Sequence, residues 1–315
     1  MIYHYLDEQF GDGDGSLTLD EWLMGMRAVG EQMGEDEFEK EVEKWNRLLT
    51  DNQRKVWRNC FAKGNAREFV IASRAAGATH ALFVVHGNCS NEKVSMPALA
   101  TGDPDFDLAV KEGDLKRKLT DRGSAQCMVA RDEWFGRLPV REIMISSPAY
   151  RTKETALYMA GYHIPKGVAA VPELLASDPS LQPLLVIEKL HPLGQSAKCE
   201  EIYQQKGDVA LKDLLDADGG ETAFGLYAES ALDELTAKVR IENEKPKEHF
   251  EKATYVSVFG HSGFVNSVAY AVATAAGIHP ESLDELLSIR LGEAEGILVP
   301  LYGQTKTAIH LKRPL

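Results

Sequence analysis

The stretch "THALFVVHGNCSNEK", residues 79–93, decides the fold. A run of apolar and β-prone residues, 80–85, ends in His86-Gly87. Such a run, bounded by turn residues, predicts a strand buried in a sheet interior. A buried strand that delivers a histidine to its carboxyl end places a titratable ring where α/β sheets hold their ligands.

Outward from this strand, the chain alternates strands with helices. Strands are expected at 80–85, 141–146, 168–171, 255–260 and 295–301. Helices are expected at 116–135, 152–161, 223–241, 264–276 and 281–289. The alternation predicts a three-layer α/β fold, a mostly parallel sheet with helices on both faces, over residues 79–315. Residues 179–222 read least clearly and suggest an insertion over the pocket. Before Thr79 the texture differs. Residues 1–60 are acidic and helix-prone, with Leu19, Leu23, Met26 and Val29 at helical spacing. They predict a small helical N-terminal appendage, joined by a connecting helix over 61–78.

Four pieces recur in a meaningful order: "VVHGN" (84–88), "LKRKLTDRGSAQC" (115–127), "IMISSPAYRTKETA" (143–156) and "YVSVFGHSGF" (255–264). Two strands end in histidine with glycine close by. A neutral imidazole nitrogen is a competent nucleophile toward phosphorus, giving a phosphohistidine. Such a site needs fixed cations and N–H donors for the phosphoryl oxygens. Arg151 offers a planar fork and His261 a second donor. Asn88 and Ser262 are candidate hydrogen-bond donors. Gly87 and Gly263 let backbone approach closely, and helix starts after each would aim positive dipole ends at an anion.

This ordered set resembles the histidine phosphatase superfamily, which includes the phosphoglycerate mutases. The resemblance covers about residues 79–302. It implies His86 as nucleophile, with Arg151 and His261 in the phosphate pocket, and it matches Thr155 to the threonine that follows the arginine on its helix. The pattern departs at two places. The family's first histidine normally follows an arginine, and Val85 stands there. Many members carry a glutamate where "VPELLASD" has Ala176. Glu173, with Asp178 and Glu221 as alternatives, is the candidate leaving-group acid. The implied activity is a phosphatase-type hydrolase acting on a phosphomonoester or phosphoprotein, with no cofactor required. Val85 leaves a second reading open, a catalytically impaired pseudophosphatase serving as a binding or scaffolding subunit for a protein partner.

"FGDGDGSLTLDE", residues 10–21, resembles the calcium loop of an EF-hand. Asp12, Asp14, Ser16 and Glu21 would be the calcium ligands. The first ligand position holds Phe10, which offers no side-chain oxygen, so a degenerate, structural loop is expected.

The formal net charge of −13 over 315 residues argues against a general nucleic-acid or anionic-membrane surface. No apolar run reaches membrane-spanning length. Four widely spaced cysteines without a CxxC pair predict reduced thiols and a cytoplasmic or other reducing compartment. Cys89 is read as a small buried residue. His80, His163, His191, His249, His279 and His310 have no partner that the sequence identifies.

Overall fold

The computed structural model describes residues 64–90, 106–135, 142–162, 184–244, 255–302 and 307–313. All of them fall in one compact unit, Arg58–Leu315. The EF-hand-like loop, the expected strand at 168–171 and Glu173 lie outside the described residues.

Six strands form one mixed sheet: β1 His80–Val85, β2 Glu142–Ser146, β3 Leu185–Val186, β4 Tyr255–Gly260, β5 Gly296–Pro300 and β6 Ile309–Leu311. Their order is β3-β2-β4-β1-β5-β6. The β3-β2-β4-β1 half is parallel, and β5 and β6 run antiparallel to it. Two strands escape the sequence pattern. β3 spans two residues, and β6 has only Ile309 and Leu311 as apolar positions.

β1 lies between β4 and β5, which explains its unbroken apolar run. Side chains alternate across a strand, so one run feeds two cores. Ala81, Phe83 and Val85 join a core with Val256, Val258, Phe264 and Leu232. Leu82 and Val84 join a second core with Phe259, Met144, Cys127 and Ala156. Helices therefore cover both faces, as the alternation predicts.

The helices are α1 Asn65–Ala75, α2 Phe106–Leu115, α3 Asp121–Phe135, α4 Tyr150–Met159, α5 Ala197–Lys206, α6 Leu211–Leu215, α7 Gly220–Glu244, α8 Phe264–Ala276 and α9 Pro280–Ser288. The expected connecting helix is a packed element instead. α1 buries Ala66, Phe69 and Val70 in the first core, and its first residue is tied to α7, Asn65 Nδ2 donating to the Glu229 carbonyl at 3.0 Å. Its apolar spacing supplies a core face, which a solvated linker would not need. Two helices missing from the sequence reading, α5 and α6, fill part of the segment expected to be an insertion.

Candidate active site

Strand register builds the site. Val85 pairs with Gly260 across the parallel β1–β4 ladder, so the next residues, His86 and His261, leave the sheet at the same level. Their ring centroids lie 5.2 Å apart. β2 pairs Ser146 with Phe259, and Ser147 follows it toward the same edge. Ser147 Oγ lies 3.0 Å from His261 Nε2.

Arg151, in the first turn of α4, lies between the rings and is buried. Its Nε donates to His86 Nε2 at 3.3 Å, and its Nη2 lies 3.2 Å from His261 Nδ1. A guanidinium only donates, so both of those ring nitrogens act as acceptors. His86 Nδ1 then donates to the Gly87 carbonyl at 2.8 Å. This assigns the Nδ1–H tautomer to His86 and leaves its Nε2 lone pair unprotonated, directed at Arg151 Nε on the pocket wall. Burial, and then the Arg151 charge, lower His86 to about 4. The same causes hold His261 well below the ordinary histidine value. Both rings are neutral at pH 7.

Thr155 is the brace. It is fully buried, its Oγ1 donates to the Arg151 carbonyl at 2.7 Å, and it accepts the Gly87 N–H at 3.1 Å. One hydroxyl thus joins the arginine's helix to the loop after the first histidine. Glu154, beside it, accepts the Leu119 N–H at 2.7 Å and fastens the α2–α3 connection to α4.

Three site residues escape the sequence reading. Asp114, near the carboxyl end of α2, accepts Arg151 Nη2 on Oδ2 at 2.8 Å, and its carbonyl accepts Nη1 at 2.7 Å. His191, placed among the partnerless histidines, is fully buried, with its Nε2 3.0 Å from Asp114 Oδ2 and its ring 5.6 Å from His261. Arg117 lies 3.2 Å from Asp114 Oδ1 and donates to the Ser90 carbonyl and to Cys89 Sγ at 2.9 and 3.0 Å. Burial alone would raise the Asp114 carboxyl. The His191 and Arg151 hydrogen bonds outweigh it and hold the group far below the usual carboxylate range. Arg117 lies within the piece 115–127 and Asp114 just before it, yet nothing in the spacing Asp114-Leu115-Lys116-Arg117 marks two inward-facing side chains. His191 follows a two-residue edge strand and a single 3-10 turn, Glu188–Leu190, which carry no periodicity to read.

Other expected residues stand nearby with their polar groups engaged. Ser262 Oγ donates to Asp208. Asn88 Nδ2 donates to Glu293 at 2.7 Å, and its Oδ1 accepts Thr120 Oγ1 at 2.7 Å. Gly87 serves close packing rather than anion approach: a Cβ there would lie 2.8 Å from the Gly123 carbonyl oxygen and 2.9 Å from Cys127 Sγ. Residues 86–90 are not helical, so no helix start follows Gly87 within the described residues. α8 does start at Phe264, after Gly263 at φ 76°. Cys89 is half-buried and lines the pocket instead of being buried. His310 pairs with Glu295 at 3.2 Å, and His80 stacks on Tyr255, so these two also have partners.

The pocket over this cluster has a volume of about 340 Å³, room for a small ligand. Val85 is nearly fully buried and joins the apolar core while touching the pocket floor. Arg131 pairs with Asp132 at 3.0 Å and packs against Gly161, so it supplies no charge beside Val85. No group of His, Cys, Asp and Glu side chains among the described residues is arranged to hold a metal ion.

No protein-family profile matches the chain, and no curated protein matches it. Two solved structures that resemble it are phosphatases. A mycobacterial glucosyl-3-phosphoglycerate phosphatase aligns at 15% identity and TM-score 0.38, over 74% of this chain and 97% of that one. A phosphoserine phosphatase from Entamoeba histolytica aligns at 12% identity and TM-score 0.34, over 74% of this chain and 95% of that one. Among the described residues no helix is long and apolar enough to cross a membrane.

Proposed function

We propose that the pocket binds a phosphorylated ligand and that His86 accepts its phosphoryl group, making the protein a phosphatase-type hydrolase for a phosphomonoester or phosphoprotein. The observation that carries this reading is the neutral His86, its Nδ1–H held by the Gly87 carbonyl and its Nε2 lone pair turned to Arg151 and His261. His86 Nε2 attacks phosphorus, the ester P–O bond breaks, and the leaving oxygen takes a proton. Water then cleaves the N–P bond and returns the lone pair to Nε2. Arg151 stabilises the charge on the transferring oxygens, and His261, whose Nδ1 accepts from it, holds the guanidinium in place. The proton donor is a carboxylic acid, for which the sequence offers Glu173 and the pocket wall offers Glu293. Orientation and charge supply the catalysis, so the step needs no metal or organic cofactor. The three described cysteines are free thiols, which suits a reducing compartment.

Val85 favours a second reading, a binding or scaffolding subunit without turnover. Losing one charge-assisted donor in such a pocket costs about 10²–10³ in rate. Hydrolysis of p-nitrophenyl phosphate separates the two. Activity lost in His86→Ala supports the hydrolase. Equal background from both proteins, with activity appearing in Val85→Arg, supports the pseudophosphatase.

A further inference from the structure

We propose that Asp114 sets the charge of the ligand this pocket accepts: its carboxylate fills one side of the Arg151 fork and biases the site toward singly charged tetrahedral oxyanions over doubly charged ones. The inference rests on the reading of the pocket as an oxyanion site and names the ligand class within it.

The geometry is that of an arginine already holding an anion. Both terminal nitrogens of Arg151 go to one residue, Nη1 to the Asp114 carbonyl at 2.7 Å and Nη2 to Oδ2 at 2.8 Å. The same Oδ2 faces His191 Nε2 at 3.0 Å, and Oδ1 faces Arg117 at 3.2 Å. The Asp114 side chain is 16% exposed, so water screens it poorly. The carboxylate is therefore clamped from three sides and stays ionised in the neutral range.

Among the described residues two guanidinium groups line the pocket, and each puts a terminal nitrogen on this one carboxylate, while Glu200, Asp208 and Glu293 line it as well. Position 85, where a further cation would stand, holds an apolar side chain within the core. Each charge on an incoming oxyanion meets the Asp114 charge across a few ångströms of poorly screened space. Coulomb energy scales with the product of charges, so a dianion doubles both the pull of the two guanidinium groups and the opposition of the carboxylates, and Asp114 with Glu200, Asp208 and Glu293 tips that balance against the second charge. A phosphomonoester carrying one proton, or another singly charged phosphoryl compound, is the class this arrangement favours.

The test uses two tetrahedral oxyanions of similar size and different charge, perrhenate (−1) and tungstate (−2), titrated by calorimetry into the full chain at one pH. Wild type binds perrhenate at least as tightly as tungstate. Asp114→Asn tightens tungstate by at least tenfold and perrhenate by about threefold, because the second change is the square root of the first. Asp114→Ser shifts the ratio in the same direction and guards against a misfolded first variant. Tungstate preferred more than tenfold by wild type overturns the inference, as does an unchanged tungstate-to-perrhenate ratio in the variants. Binding of neither anion by any of the three proteins overturns the oxyanion reading itself and the inference with it.

Discussion

His86 and His261 stand with ring centroids 5.2 Å apart because the residues before them, Val85 and Gly260, are register partners on adjacent parallel strands. They lie 175 positions apart in the chain. Parallel pairing brings the carboxyl ends of both strands to one edge, and a one-residue slip would turn one histidine to the other side of the sheet. Arg151 then reaches both rings from the first turn of α4. The pocket is thus a consequence of sheet register before it is a consequence of side-chain chemistry.

Removing the Thr155 hydroxyl should damage stability and turnover together. Thr155→Val keeps the shape but leaves the buried Gly87 N–H without its 3.1 Å partner. An orphaned buried donor costs about 1–3 kcal/mol. Urea unfolding is expected to show that loss. Hydrolysis of p-nitrophenyl phosphate is expected to fall about tenfold through kcat, because Arg151 and the His86 loop lose their shared anchor. Wild-type kcat in a variant destabilised to this degree would remove Thr155 from the positioning role.

Placing an arginine at position 85 has opposing effects. Val85 is 3% exposed and packs in the apolar core, so Val85→Arg forces a charge beside Phe83 and Val258. It should lower stability by roughly 2–4 kcal/mol. A guanidinium that turns into the pocket from that position should raise activity toward aryl phosphates by on the order of 10²-fold. Paired thermal melts and initial rates check both halves, and a gain in rate without any loss of stability would contradict the burial argument.

Acid should weaken the fold before carboxylate protonation begins. His86 titrates near 6.5 when unfolded and at about 4 when folded, chiefly through burial. The unfolded chain therefore binds more protons between these values. The stabilisation is fully present above pH 6.5 and is lost as pH falls toward 4. At about 1.4 kcal/mol per unit the loss approaches 3 kcal/mol, and less in practice because His86 is only half-buried. His261 adds in the same direction. Urea midpoints at pH 7.5 and 4.5 should differ more for wild type than for His86→Asn with His261→Asn. Asp114 acts lower, since its contribution is present above the ordinary carboxylate value and disappears only below it.

The turn behind the first histidine stores strain that a single substitution releases. Ala294 holds φ 55°, and its N–H donates to the His86 carbonyl at 3.2 Å. A non-glycine residue in the left-handed region is disfavoured by about 1–2 kcal/mol, while glycine adopts it freely but loses more entropy on folding. Ala294→Gly should therefore stabilise the protein by about 0.5–1 kcal/mol in urea unfolding. A destabilised variant would show that the alanine methyl packs usefully enough to outweigh its backbone.

The layered α/β plan is legible in the chain alone, because apolar runs and helical periodicity report local burial. His86 and His261, just past strand ends, and Arg151 and Thr155, in the first two turns of α4, are legible too, because short motifs there have a local mechanical meaning. Only the tertiary structure decided that Asp114, Arg117 and His191 join them. Asp114 and Arg117 come from the end of a helix and a connection, and His191 follows a two-residue edge strand, so no periodic pattern carries them. Their roles depend on which side chains from distant segments converge on one guanidinium, and electrostatic pairing across space leaves no spacing in the chain. The same holds for Val85: its identity is written in the sequence, but its place in the closed apolar core is set by packing around the sheet.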